Sequence, residues 1–192
     1  MVPACLTLRV VPGATLRKPL LLMQPRFERI PIAAIVPGAS LRVSAPGHLL
    51  QGAWPVWLTG TSLPAINSDP QRARPRMALV VDDQTLEFND IDGTGLMASG
   101  GRLVYQLPVD LTGCKAQLVI AAGTEQMEFS TENGGLTISG PGRLALRIGA
   151  DKTAAMTWEK GSYSLDITWS NGDVDRWLHG EVIVSGGGCC DG

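Results

Sequence analysis

The chain has 192 residues, of which 44% are hydrophobic and 18% charged, and its net charge is −2. The apolar share excludes an intrinsically disordered chain, and the near-neutral balance offers no electrostatic case for a nucleic-acid partner. Twenty-three glycines and thirteen prolines, with no amphipathic helical run beyond about two turns, exclude a helical bundle and point to an all-β protein.

Met1 to Cys5 carries no basic region followed by an apolar core, so no secretory leader is expected and synthesis in a cytoplasm is. Leu6–Val11 reads as a strand, Pro12-Gly13 as a turn, and Thr15–Met23 as a second strand broken by Pro19. Leu20-Leu21-Leu22-Met23 is the longest apolar run and too short for membrane insertion. From Ile30 the texture changes to short strands at 40–44, 56–59, 77–81 and 85–88 between Pro- and Gly-rich loops, the content of a small barrel. Arg72, Arg74 and Arg76 read as a solvated loop, with Asp69 and Asp82-Asp83 nearby in sequence. Asp82-Asp83-Gln84 is a tight turn that points Val80 and Leu86 inward.

The sandwich pattern resumes at Pro108–Gly113, with strands at 115–121, 125–130, 136–139 and 143–148. Asn133-Gly134-Gly135 and Gly140-Pro141-Gly142 supply the turns. Asp151–Met156 is the one helical turn, with Asp151 as its cap. Tyr163–Val184 reads as a closing hairpin with a type I′ turn at Asn171-Gly172. Alternation from that turn places Tyr163, Leu165, Ile167 and Trp169 inside and Asp166, Thr168, Asp175 and Trp177 outside.

The expected organisation is discontinuous. Residues 1–30 and 106–185 form a sandwich, 31–105 an inserted small barrel, and 186–192 a Gly/Cys tail. Two consecutive domains split near residue 107 are the alternative, but residues 1–30 alone would bury too little to stand as a unit.

Candidate chemistry is sparse. His48 lies in a Pro-Gly-His turn and His179 points outward beside Glu181. No Gly-x-Ser-x-Gly elbow supports a nucleophilic serine. Asp82-Asp83 and Asp90/Asp92 lack calcium-loop spacing and its closing glutamate. No catalytic residue and no cofactor is therefore assigned, and the protein is expected not to be an enzyme. For Cys189-Cys190 three readings stay open: exposed thiols, a metal-ligand pair completed by another chain, or a disulfide to Cys5 or Cys114. Trp177, Trp54 and Trp57 are the candidate partner-binding residues, because exposed tryptophan is enriched at interface hot spots and stacks on sugar rings. A loop of its own domain covering Trp177 is the alternative.

The stretch from Val109 to Gly187 resembles a family of small virion proteins of tailed bacteriophages. Asp110-Leu111-Thr112-Gly113, Gly161, Tyr163, Gly172, Arg176, Leu178, Gly180 and Val182 carry the likeness. It implies an Ig-like β-sandwich of the upper-baseplate or fibre-attachment type. Ala45–Leu49, Gly52, Val56–Gly60, Ile66-Asn67, Val80–Asp82 and Thr85–Phe88 resemble a small SH3-like barrel of phage tail proteins. That barrel is labelled by analogy with the first catalytic-cysteine half-domain of ubiquitin-activating enzymes. The label brings no chemistry, since residues 31–105 contain no cysteine. The resemblance implies a structural protein of the virion tail or baseplate, made in the host cytoplasm. It would dock other tail and baseplate proteins in a symmetric assembly and help hold receptor-binding fibres. A carbohydrate-binding module using Trp54 and Trp57, or a capsid decoration protein, are the alternatives.

Overall fold

Period-two alternation of apolar and polar side chains builds most of the molecule, and the chain is all-β. The computed structural model describes residues 3–185. Three strands open the chain: β1 (Ala4–Cys5), β2 (Leu8–Val10) and β3 (Leu16–Leu21). Seven follow: β4 (Met23–Pro31), β5 (Ala34–Val36), β6 (Leu41–Ser44), β7 (Ala53–Thr59), β8 (Arg76–Val80), β9 (Thr85–Phe88) and β10 (Arg102–Pro108). Then come β11 (Lys115–Ala122), β12 (Glu125–Ser130), β13 (Leu136–Gly140), β14 (Arg143–Ile148), β15 (Lys160–Thr168) and β16 (Val174–Val184).

The described residues divide into two compact units, one made of those up to Leu22 together with those from Val109 to Ser185, the other of Met23–Pro108. The change of texture along the sequence places the boundaries at 30 and 106. Met23–Pro31 instead pairs antiparallel with β10, from Pro31 opposite Arg102 to Met23 opposite Pro108, so it belongs with the inner unit.

In the discontinuous unit one sheet runs β1-β16-β15-β11-β12, with β2 also on β16, and a second runs β13-β14-β3. β1 and β2 lie parallel to β16, while the other pairings are antiparallel. Both sheets turn their apolar residues to one core: Leu118, Ile120, Leu165 and Ile167 from the first, Leu144, Leu146 and Ile148 from the second. Pro19 is tolerated in β3 because that strand pairs with β14 alone. The single α-helix of the described residues, α1 (Ala150–Ala154), starts at Gly149 with no side-chain cap, so Asp151 is a first-turn residue and not the cap. Thr153 ties the helix down, donating from Oγ1 to the Ala14 carbonyl at 2.9 Å.

The inner unit is one antiparallel sheet in the order β4-β10-β7-β8-β9-β6-β5. Its two end strands, β4 and β5, are consecutive in the chain with only Ile32 and Ala33 between them. The sheet must therefore curl until its ends are neighbours. Leu41, Val43, Val56, Leu58, Leu86, Phe88 and Leu103 fill the interior, each with no exposed surface.

The closing hairpin corrects the sequence reading twice. Trp169 donates its N–H to the Asp173 carbonyl and accepts from the Gly172 N–H at its own, so the loop has three residues, with Gly172 at φ 92°. Asn171 has no positive φ, which makes this a type I turn with a glycine bulge and not the two-residue type I′ turn. Further along, Leu165 faces Leu178 but Asp166 faces Arg176, leaving Trp177 as an extra residue. The two irregularities cancel beyond the bulge, and between them they turn Trp177 inward.

Candidate functional site

The three tryptophans expected at the surface are all interior. Trp177 is 7% exposed and belongs to the sandwich core, edge-on to Trp169 at 6.2 Å between ring centroids. Trp169 takes the half-buried rim position instead, and its Nε1 donates to Asp175 Oδ2 at 2.7 Å. Trp54 is buried and donates from Nε1 to the Gln106 carbonyl at 2.8 Å. Trp57 is buried, donates to the Ala73 carbonyl at 2.9 Å and meets Phe27 edge-to-face. Three residues apart on one strand, these two indoles leave opposite faces of the sheet. They form no stacking platform. Cys189 and Cys190 lie outside the described residues; Cys5 is exposed, Cys114 is half-buried, and neither is bonded to another cysteine among the described residues.

His48 has no exposed surface, and both ring nitrogens are engaged. Nδ1 accepts the Leu50 N–H at 3.0 Å, so Nε2 carries the proton and donates to the Asp82 carbonyl at 3.1 Å. Between them Leu49 is held at φ 55° with its side chain 77% exposed, a left-handed conformation unusual for leucine. The acidic residues are mostly turn-holders. Asp69, Asp82, Asp92 and Asp110 each accept the N–H two residues on at 2.9 Å. Those bonds hold the Asp82 carboxyl below the usual range, chiefly through the Gln84 N–H, and that of Asp92 through the Thr94 N–H. Among the described residues no cluster of three or more His, Cys, Asp or Glu could hold a metal ion.

Two clefts stand out. On the outer face of the sandwich unit, a cleft of about 800 Å³ is lined by Cys5, Ser162, Ser164, Arg176, His179 and Glu181. Cys5 and Ser164 flank His179 in register on either side, and Glu181 follows on the same face. In the inner unit, a cleft of about 910 Å³ is lined by Ser68, Arg74, Pro75, Arg76, Met77 and Asp90, among others. Arg76 is therefore not a loop residue in solvent. It opens β8, and its Nη1 meets Asp90 Oδ2 at 2.6 Å. The sequence held one signal for this, an arginine placed immediately before the apolar β8 residues. Its partner Asp90 and the neighbouring lining residue Ser68 are eight or more residues away in sequence and carried none.

No protein-family model, no curated protein and no solved structure matches the chain.

Proposed function

We propose that this chain is a non-enzymatic structural protein of a tailed-phage virion, an adaptor at the tail tip or baseplate built on an Ig-like sandwich. What supports the reading is that the residues carrying the resemblance are the framework of one unit. Asp110 takes the Thr112 N–H and turns the chain into β11. Gly180 faces Leu6 so closely that a Cβ there would collide with the Leu6 carbonyl oxygen. Tyr163 donates its hydroxyl to that same carbonyl at 2.7 Å, and Arg176 grips both oxygens of Asp166. Val182 is fully buried. Such a set describes a scaffold that holds a shape, and His48, Asp69, Asp82, Asp92 and Asp110 are engaged in loops and turns. With Trp54, Trp57 and Trp177 inside, contact with neighbouring tail proteins falls to apolar side chains that remain outside, among them Leu49, Val81 and Val174.

Immunogold labelling of intact particles with an antibody against the chain tests the proposal. Gold at the tail end is the expected result. Gold on the head would make it a decoration protein, and particles without label would overturn a virion role.

A further inference from the structure

The inner unit's cleft combines three features that point to one ligand chemistry. First, two polar atoms in its lining residues, Arg76 Nε and Ser68 Oγ, are buried and have no hydrogen-bond partner. Leaving buried donors unmet is costly, and a native site that does so calls for an explanation. Second, the cleft is cationic: Arg74 and Arg76 line it against one carboxylate, Asp90, and Arg74 makes no ion pair with any described residue. Third, Met77 and Leu79 stand in the same wall, 50% and 43% exposed, beside Pro75.

The protein itself shows what an open arginine edge takes. At Arg176, Nε and Nη2 hold the two oxygens of Asp166 at 2.8 and 3.0 Å. At Arg76 the Asp90 carboxylate occupies Nη1 alone, and Nε has no acceptor. Arg76 Nε and Ser68 Oγ are both closed to solvent as they stand; once turned to the cleft, that edge would take a planar carboxylate side-on, with the Ser68 hydroxyl as a further donor and Arg74 supplying charge. The adjoining Met77, Leu79 and Pro75 suit an apolar body attached to it. Engagement requires Arg76 to turn its guanidinium toward the cleft while Nη1 keeps Asp90.

We propose that this cleft binds a small organic carboxylate, held by Arg76, Ser68 and Arg74 with its apolar part against Met77 and Leu79. The site stands apart from any virion role and is tested on the full chain by amide NMR titration with hexanoate. Saturable shifts confined to residues 67–79 and 89–90 are expected. Hexanamide, the same body without charge, should leave those amides unmoved, and inorganic phosphate should shift them less than hexanoate. Arg76→Lys keeps a cation beside Asp90 but loses the planar edge, and should weaken hexanoate by about tenfold or more while the other amides stay in place. Arg74→Gln should weaken it less. Hexanoate binding that is absent, equal to hexanamide's, weaker than phosphate's or unchanged in Arg76→Lys would each overturn the assignment.

Discussion

Replacing Trp177 by alanine tests the register of the closing hairpin directly. A buried indole removes roughly 150–250 Å² from water, which at about 25 cal/mol/Å² is worth about 4–6 kcal/mol. Edge-on contact with Trp169 adds on the order of 1 kcal/mol. Against this stands the indole N–H, which is buried with no partner and whose removal returns about 1–3 kcal/mol. Trp177→Ala should therefore destabilise the sandwich unit by roughly 2–6 kcal/mol, a span that brackets the cost of large aromatic truncations in cores. Trp177→Phe keeps most of the ring and discards the orphan N–H, so its cost should stay within about 1 kcal/mol of wild type. Urea unfolding followed by near-ultraviolet circular dichroism reads both variants, because the coupled Trp169–Trp177 pair reports on this unit. An alanine variant within about 0.5 kcal/mol of wild type would place the side chain in solvent, as for ordinary surface substitutions, and refute the bulge.

Three further outcomes follow from the packing. Gly180→Ala puts a Cβ against the Leu6 carbonyl, so the β1–β2 segment should lift from β16, at about 1–3 kcal/mol. Hydrogen exchange should speed up across residues 4–10, and unchanged protection there would contradict the close approach. Trp54→Phe should cost about 1–2 kcal/mol by stranding the Gln106 carbonyl, and polysaccharide binding should be nil before and after the change. Burial pushes the Tyr163 phenol from 10.0 up to about 12, so the folded state holds this proton where the unfolded chain loses it. The phenol's contribution to stability is complete below pH 10 and falls as the pH rises toward about 12. Tyr163→Phe should flatten that alkaline slope, which a urea series between those pH values measures.

Much of the fold is legible in the chain because the relevant signals are local. Leu144, Leu146 and Ile148 alternate with Ala145 and Arg147, and that spacing alone names a strand with one buried face. Asp110 two residues before Thr112, and Asn171 before Gly172, mark turns through bonds made within a few residues. The candidate site was far less legible. A tryptophan shows its size and amphipathic character in sequence but not its cover, and Trp54 and Trp57 were hidden by strands and loops remote from them. Ser68, Arg76 and Asp90 carry no shared spacing, so nothing local announces the cleft they line.

Alternation, prolines and glycines act within a few bonds, so the order of residues was enough to assign the secondary-structure class, most strand positions and the turn residues. Tertiary structure alone decided which strands pair and in what phase. Met23–Pro31 joined β10, and one extra residue at Trp177 reversed the side of a whole indole. Side chains in a strand repeat every two residues, so a single-residue bulge is invisible to the pattern and yet settles what faces the core.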